Sequence, residues 1–298
     1  MRRRFTTLDV FTNQRFAGNP LAVVQDAEGL DTAAMQAIAR EFNLPETVFV
    51  LPASKPAHRA RLRIFTPAME LPFAGHPTVG TAVLLGLNEG VSDCELIFEE
   101  QIGPVQCRFT RAADGLGKGA FDMPVLPEYL GEAGNAAALA TALSLTPDDL
   151  GGEGFEPGRW KAGNAFTMIP VRGLEAIGRA RTDLSRWAAA FGEAGARNMF
   201  LFCSETEDPG HAFHARMFAP DMGIAEDPAT GSAVAAFAGL VAKFAGLPDG
   251  EHALVIEQGY EMGRPSLINL TVRLQDGALA SASIAGDAIV IGEGTIEA

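Results

Sequence analysis

Two similar passages, about 150 residues apart, constrain the fold of this chain more than any other feature. In the first passage, RIFTP at residues 63–67 leads to HPTVGTAV at residues 76–83. In the second, RMFAP at residues 216–220 leads to DPATGSAV at residues 227–234. A repeat of this length is typical of duplicated domains and unlike the short-period repeats of solenoids. The sequence therefore predicts two copies of one fold.

The similarity continues on both sides of these passages. Upstream, AGN at residues 17–19 matches AGN at residues 162–164. Downstream, IFEEQ at residues 97–101 resembles VIEQG at residues 255–259. Matches that keep a similar spacing over most of the chain are not expected from the chance similarity of one short run. The repeated unit therefore includes most of each copy.

The length of 298 residues and the hydrophobic content of 47% are sufficient for two sizeable cores. Pro124 and Pro127 interrupt the chain between the copies. We therefore predict one domain over residues 1–125 and a second over residues 126–298. Two such domains usually meet across a cleft, which is a favoured position for a small ligand.

The hydrophobic pattern predicts an α+β fold. Each copy has one nearly all-apolar helix, starting near Pro77 in the first and running from Ala233 to Phe244 in the second, with Pro228 expected at the helix start. Helices this apolar on all sides are normally buried, and the segment 131–143 also has helix-forming composition. We predict two pseudo-symmetric domains, each a curved, mostly antiparallel sheet around a central buried helix. The strand-like segments are 5–11, 21–25, 47–51, 59–65, 95–98, 104–109, 119–123, 253–258, 267–274, 279–284 and 288–296.

The composition narrows the classes of partner. A net charge of −14 argues against nucleic acid and against anionic membrane surfaces, because binding to either needs clustered Lys and Arg. No run approaches the roughly 18 apolar residues of a membrane-spanning helix. Cys94, Cys107 and Cys203 lack the spacing of metal ligands or of a redox pair. We therefore expect reduced thiols, no metal site and a cytoplasmic protein.

The starts of the two apolar helices are predicted anion sites. The first N–H groups of a helix have no intrahelical partner and carry partial positive charge. If both helix ends meet in one cleft, they can hold a carboxylate and place His76 opposite Asp227. The alternative is that these side chains only cap their own helices, for which Asp before Pro is suitable and His is not. The residues at these helix starts are Gly75, His76, Thr230, Gly231 and Ser232.

A further candidate, Glu46, lies where the two copies differ. ETVFV at residues 46–50 falls opposite NMFLF at residues 198–202. An acid in one copy and an amide in the other indicate that only the first copy supplies a titrating group. Partial burial before an apolar strand would raise the pKa of Glu46 into the range of a useful general acid or base. The alternative is a solvated carboxylate at the end of a strand.

Four ordered motifs together resemble the PhzF-like isomerase family, which is named for phenazine biosynthesis. They are FAGNPLAV at 16–23, ETVFV at 46–50, RIFTP and ELPFAGHPT within 63–78, and EDPATGSA at 226–233. The resemblance covers nearly the whole chain and implies the two-domain fold of diaminopimelate epimerase. It also implies Glu46 as the proton-transferring acid/base, with His76 and Asp227 as its partners across the cleft. The positions implied to bind the substrate are Asn19, Gly75, Thr230, Gly231 and Ser232.

The chemistry implied by this resemblance is cofactor-free isomerisation. A carboxylate removes a proton beside an activating group of a small carboxylate-bearing metabolite and returns it elsewhere, without metal or flavin. Family analogy also implies a homodimer. Two alternatives remain open at this point: an amino-acid-type racemase or epimerase, which would invert a single stereocentre, and a non-catalytic protein that binds small anions. The presence of Glu46, His76 and Asp227 together speaks against the second alternative.

Overall fold

The chain divides into two units in the computed structural model, which describes residues 1–112, 116–152, 154–191 and 197–298. The predicted second domain extended to residue 298, whereas the last residues of the chain belong to the first unit. The reason is that the C-terminal strand pairs with the N-terminal strand, from Arg2 opposite Glu297 to Val10 opposite Ala288. Unit 1 comprises Met1–Pro124 and Ile284–Ala298, and unit 2 comprises Val125–Ser283.

The strands and helices follow the chain in this order. Unit 1 contains β1 (Arg2–Val10), β2 (Asn19–Val24), α1 (Thr32–Phe42), β3 (Glu46–Leu51), β4 (Ala60–Phe65), β5 (Glu70–Leu71), α2 (Gly75–Glu89), β6 (Asp93–Glu100), β7 (Gly103–Arg111) and β8 (Gly117–Asp122). Unit 2 contains β9 (Glu128–Glu132), α3 (Ala136–Ala142), β10 (Gly158–Ala162), β11 (Asn164–Pro170), α4 (Leu174–Arg179), α5 (Leu184–Phe191), β12 (Met199–Cys203), β13 (Phe213–Ala219), β14 (Ile224–Asp227), α6 (Gly231–Phe244), β15 (Gly250–Gln258) and β16 (Ser266–Gln275). The last strand, β17 (Ala278–Glu297), runs into unit 1, and short 3-10 helices lie at Pro147–Asp149, Pro220–Met222 and Tyr260–Met262.

The two units repeat one pairing scheme. In unit 1, β1 and β2 are antiparallel, β2 and β3 parallel, β3 and β4 antiparallel, and β4 and β6 parallel. In unit 2, the pairs β10–β11, β11–β12, β12–β13 and β13–β15 have the same orientations in the same order. Parallel neighbours need a crossover connection, which includes α1 and then α2 in unit 1, and α4 with α5 and then α6 in unit 2. The predicted duplication and α+β fold class are confirmed.

The two apolar helices form the centres of their units, as predicted. In α2 every residue from Gly75 to Gly86 is buried, and in α6 every residue from Gly231 to Val241 is buried. Helix α2 packs on β7 and β8, and α6 packs on β10, β11 and β16. Gly86 permits close packing, because a Cβ there would lie 2.2 Å from the ring of Phe109. Among the described residues, no helix is long and apolar enough to cross a membrane.

The segment 131–143, predicted to be helical, is only partly helical. Its beginning belongs to β9, where Gly131 pairs with Arg159 of β10. Helix α3 begins after Asn135, whose side chain accepts a hydrogen bond from the Ala138 N–H. Pairing with β10 therefore determines the structure of the first residues, and the N-cap determines where the helix starts.

The two strands predicted at 279–284 and 288–296 form one continuous strand, β17. The prediction left residues 285–287, which include Gly286, outside both strands. In the fold, a Cβ at Gly286 would lie 2.3 Å from the ring of Phe11. Glycine is therefore needed here for the close approach of an aromatic ring, and it does not interrupt the strand.

Candidate active site

Glu46 is the first residue of β3 and is 9% exposed. The parallel pairing of β2 with β3 places it opposite Leu21, and the remaining residues of β3 anchor the strand in the core. The carboxyl group therefore lies at the beginning of an internal strand whose position is determined by the sheet. The structure does not support the alternative of a solvated carboxylate at a strand end.

His76 contacts Glu46 within unit 1. Its Nε2 atom lies 3.4 Å from Glu46 Oε2. Burial lowers the pKa of His76 to about 3, although a hydrogen bond to the backbone of Pro20 opposes this shift. At neutral pH the imidazole ring is therefore uncharged.

The hydrogen bond to Pro20 also determines the tautomer of His76. Proline has no N–H, so the ring must donate to the Pro20 carbonyl oxygen. His76 Nε2 makes no hydrogen bond, which assigns the donor role to Nδ1 and leaves an acceptor lone pair on Nε2. This acceptor is the atom near Glu46 Oε2. A proton carried by Glu46 can therefore be shared with a neutral ring of defined orientation.

The loop before β2 positions Asn19 and Pro20. Gly18 has a φ of +64°, and a Cβ there would lie 2.4 Å from the Val10 carbonyl oxygen, so only glycine fits. Asn19 is buried at the start of β2 and pairs with Val10 of β1. Gly75 is the first residue of α2, and its N–H precedes the first backbone hydrogen bond of that helix, from Thr78 N–H to the Ala74 carbonyl oxygen.

In unit 2, Asp227 does not cap α6. It is the last residue of β14, and α6 begins at Gly231 with Thr230 as the N-cap residue, so Pro228 also precedes the helix. The reason is a set of hydrogen bonds from the Gln258 side chain. Its Nε2 lies 2.7 Å from the Asp227 carbonyl oxygen and 2.9 Å from Thr230 Oγ1, and its Oε1 accepts from the Thr230 N–H at 3.1 Å.

This arrangement changes the expected role of Thr230. Its amide is occupied by Gln258, and its hydroxyl donates to Asp227 Oδ2. Thr230 therefore orients the Asp227 carboxylate. The amides of Gly231 and Ser232 lie ahead of the first hydrogen bonds of α6, which run from the next two residues to the Thr230 carbonyl oxygen, so they have the polarity expected of an anion site.

Comparison with known proteins places the chain in a family. A family model described as phenazine biosynthesis-like protein matches residues 8–294. The chain therefore belongs to the phenazine biosynthesis-like, or PhzF, family. The resemblance inferred from the four motifs is confirmed, and the chain is an isomerase of this family.

Three relatives show how far the similarity extends. A protein of Mesorhizobium japonicum described as an uncharacterized isomerase is 49% identical, over 99% of this chain and 98% of its own. The trans-2,3-dihydro-3-hydroxyanthranilate isomerase of Pseudomonas fluorescens is 33% identical over 98% of each chain. The crystal structure of a PhzF-family phenazine biosynthesis protein from Bacillus anthracis is 28% identical, covers 100% of both chains and has a TM-score of 0.90.

Gln258 and its counterpart Glu100 support the segments that carry the candidate site residues of this PhzF-family isomerase, and sequence reasoning did not identify them. Glu100 is the last residue of β6 and Gln258 is the last residue of β15, at equivalent positions of the repeated runs IFEEQ and VIEQG. The repetition of these runs was the sequence signal that could have identified both residues. Glu100 is buried behind the start of α2, and its Oε1 lies 2.8 Å from Thr78 Oγ1. Thr78 Oγ1 is also 2.8 Å from the Ala74 carbonyl oxygen. One hydroxyl hydrogen cannot serve both acceptors, so a proton on Glu100 completes the hydrogen bonds.

Burial raises the pKa of Glu100 to about 8, against the opposing effect of the hydrogen bond with Thr78. Below about pH 4.5, the ordinary pKa of a glutamic acid side chain, Glu100 is protonated in both the folded and the unfolded state. Between this pH and about 8 only the folded state holds the proton, so the stability that Glu100 contributes is lost as the pH rises through this window. Above about pH 8 the loss is complete.

Glu100→Gln is expected to remove this pH dependence, because an amide does not ionise. Relative to wild type, the variant should become more stable from about pH 5 to about pH 8, by about 1.4 kcal/mol per pH unit where the two states differ by a full proton. Urea unfolding at several pH values measures the difference. Glu95→Gln, at an exposed position of β6, is the control and should show no such trend. Parallel pH profiles for wild type and Glu100→Gln would contradict the assignment.

Unit 2 also contains a buried charged cluster that the sequence did not reveal. Both ring nitrogens of His214 contact carboxylates, with Nδ1 2.9 Å from Glu257 and Nε2 3.1 Å from Glu261. Burial alone would lower the pKa of His214, but the hydrogen bonds to Glu261 and Glu257 outweigh it and raise the pKa. Arg216 makes a two-point ion pair with Glu226, at 2.7 and 2.9 Å. Among the described residues, no group of His, Cys, Asp and Glu has the arrangement of a metal site.

This cluster supports the segment that carries Asp227. Glu226 directly precedes Asp227 in β14, and Glu257 directly precedes Gln258, whose side chain holds the Asp227 carbonyl oxygen. The neighbouring residues Glu226 and Asp227, and likewise Glu257 and Gln258, therefore connect the buried charged cluster to the candidate site. His211, in the loop before β13, also contributes, because its Nδ1 lies 2.6 Å from Glu257.

Proposed function

We propose that this isomerase moves a proton within a small carboxylate-bearing metabolite, with Glu46 as the acid/base group. The observation that carries the proposal is the position of Glu46 Oε2, 3.4 Å from an uncharged His76 nitrogen that can only accept. In the reaction, one C–H bond breaks and its electron pair passes to an adjacent activating group. Glu46 takes the proton and returns it to a different carbon, where the delocalised electron pair forms the new C–H bond, so the product is an isomer of the substrate.

The environment of the pair suits this task. A general acid/base works best when its proton affinity is matched to the reaction, and burial raises the proton affinity of a carboxylate, which makes it a stronger base. Developing negative charge on the substrate would be stabilised by fixed N–H groups, such as those at the start of α2. Proton transfer of this kind needs no cofactor, and we propose a cofactor-independent reaction.

Asp227 and the amides of Gly231 and Ser232 are proposed to act on the same substrate molecule. Their support is the preorganisation found in unit 2, where Thr230 and Gln258 hold the Asp227 carboxylate and its backbone in one position. Asp227 would bind a polar group of the substrate, and the helix amides would bind its carboxylate. Asn19 and Gly75 are proposed as further substrate contacts in unit 1.

The first substrate to test is trans-2,3-dihydro-3-hydroxyanthranilate, because a relative that is 33% identical is named as the isomerase of this compound. The enzyme is incubated in D2O with this compound and a pool of other small carboxylic metabolites, and deuterium uptake is measured by mass spectrometry. NMR then locates the new C–D bond. Deuterium at a new carbon supports isomerisation, and exchange with inversion at one stereocentre supports the racemase alternative. No uptake by any compound shifts the weight to a substrate outside the pool or to the non-catalytic alternative.

His76→Ala and Asp227→Asn are each expected to lower the exchange rate about 100-fold, the usual contribution of a positioned acid/base group. The lower exchange rate of Asp227→Asn is expected only if Asp227 of unit 2 acts on the same substrate molecule as Glu46 and His76 of unit 1. His252→Ala is the matched histidine control, because His252 Nε2 contacts the Pro248 carbonyl oxygen at an exposed position. A rate within a few-fold of wild type for either variant would remove that residue from the mechanism.

We further propose a homodimer in the cytoplasm. The family resemblance supports the dimer, and the three free cysteines are in keeping with a reducing compartment. Sedimentation equilibrium tests the dimer, and fractionation of cells tests the compartment.

A further inference from the structure

Phe16 is an aromatic residue in an unusual position. It lies in the loop between β1 and β2, and it is 71% exposed. Its backbone φ is +67°, a left-handed conformation that residues with a Cβ seldom adopt. Exposed loop residues usually avoid such a conformation, because an exposed side chain gains no burial energy that could offset the backbone strain. Strained residues of this kind are found mainly at functional sites.

The strain is imposed by specific contacts. The Phe16 N–H donates to Asp9 Oδ2 at 2.6 Å, and Asp9 is itself buried. Two residues later, Gly18 also has a positive φ and fits against the Val10 carbonyl oxygen only because it has no Cβ. The loop is therefore held firmly against β1, while the Phe16 ring stays exposed.

The same contacts connect the Phe16 loop to the proposed acid/base pair, Glu46 and His76. Asp9 pairs with Pro20 across β1 and β2. The Pro20 carbonyl oxygen accepts the hydrogen bond from His76, and His76 contacts Glu46. A continuous series of contacts thus runs from the Phe16 amide to the proposed acid/base group.

We infer that Phe16 contacts the substrate and gives the isomerase a preference for planar, unsaturated carboxylates. This inference rests on the proposed function, in which the site around Glu46 binds a carboxylate. An exposed aromatic face attracts a flat conjugated ring through offset stacking or edge-to-face contact, and such a contact is less favourable with a puckered saturated ring. The strained backbone keeps the ring in place before the substrate arrives, which reduces the entropy lost on binding.

The inference is tested by ligand binding, so that its outcome does not depend on finding the substrate. Benzoate and cyclohexanecarboxylate have the same charge and ring size and differ in planarity. Wild type is expected to bind benzoate roughly three- to tenfold more tightly, as measured by calorimetry. Phe16→Gly should remove this preference, and Phe16→Tyr should keep it. Equal preference in Phe16→Gly and wild type, or no binding of benzoate to wild type, would overturn the inference.

Stability measurements separate this role from a structural one. Phe16→Gly relieves the positive φ without removing a buried side chain, so its unfolding temperature should be unchanged or higher. Ser144→Gly, at another exposed residue of positive φ, is the control and should leave the benzoate preference intact. A clear drop in the unfolding temperature of Phe16→Gly would show that the ring supports the fold and would overturn the inference.

Two further outcomes distinguish this inference from its alternatives. If Phe16→Gly converts a wild-type dimer to a monomer in sedimentation, the ring is a subunit contact and the inference is wrong. If deuterium exchange occurs but Glu46→Gln does not affect it, the proposed role of Glu46 fails, while a benzoate preference that depends on Phe16 still stands. The experiments therefore test the acid/base role of Glu46 and the substrate contact of Phe16 separately.

Discussion

Glu46→Gln is expected to abolish deuterium exchange, with a loss of more than about 100-fold, while the fold and the ligand affinity are preserved. The amide has nearly the shape of the acid but cannot take up and return a proton. Because Glu46 lies at the start of an internal strand, a change of shape there would disturb the sheet, and the isosteric amide avoids this. The measurements are the exchange rate, the dissociation constant for benzoate and the urea unfolding curve.

The control for this variant is Glu95→Gln, which makes the same chemical change at an exposed position of unit 1. It should leave the exchange rate unchanged. A Glu46→Gln protein that is folded, binds benzoate and exchanges within about tenfold of wild type would contradict the assignment of Glu46 as the acid/base group. Loss of benzoate binding together with exchange would indicate that Glu46 contributes to binding as well.

Arg216→Met is expected to lower the free energy of unfolding by about 3 to 5 kcal/mol, the usual effect of breaking a buried ion pair. Arg216 is 2% exposed, and its guanidinium holds Glu226 by two hydrogen bonds. It also donates to the carbonyl oxygens of Ile177 and Ala180, at 2.9 and 3.0 Å. The methionine fills similar space but leaves a carboxylate and two carbonyl groups without this donor. Urea unfolding at neutral pH measures the change.

The repeat supplies a matched control for Arg216. Arg63 occupies the equivalent position in unit 1 and pairs with Glu70 at 2.7 and 2.6 Å, but its side chain is 22% exposed. Water can replace part of that interaction, so Arg63→Met should lower the free energy of unfolding by only about 1 kcal/mol. If the two variants lose similar amounts of unfolding free energy, burial does not strengthen the ion pair of Arg216 relative to that of Arg63.

A second variant tests the reason for the loss. In Arg216→Met combined with Glu226→Met, no uncompensated carboxylate remains, so part of the lost stability should return. If the double variant is as unstable as Arg216→Met, the main loss comes from the two carbonyl groups near the end of α4 and not from Glu226. The comparison therefore separates the two causes.

Several features of the fold could be predicted from the sequence because they depend on local pattern. The apolar runs that become α2 and α6 are recognisable without knowledge of their neighbours, since helices with no polar face must be buried. The repeated motifs also indicated that one pairing scheme would occur twice, and the strands of units 1 and 2 bear this out. The family could be recognised for the same reason, because its motifs are contiguous runs of residues.

Other features depend on contacts between residues far apart in the chain, and these were not predictable. Asp227 was expected at a helix start, but Gln258 takes up the polar groups of residues 227–230, and α6 begins only at Gly231. Likewise, the return of residues 284–298 to unit 1 depends on pairing with β1. Nothing in the local sequence of either segment determines its partner.

The sequence by itself therefore determined the duplication, the two central helices, the family and the candidate residues Glu46, His76 and Asp227. Only the tertiary structure decided the protonation states of these candidate residues and the hydrogen bonds that hold them in place. It made His76 an uncharged acceptor, through burial and the Pro20 carbonyl oxygen, and it placed Gln258 behind Asp227. The physical reason is that hydrophobic periodicity and motifs are properties of neighbouring residues, whereas protonation and hydrogen bonding depend on burial and on partners that only the folded chain brings together.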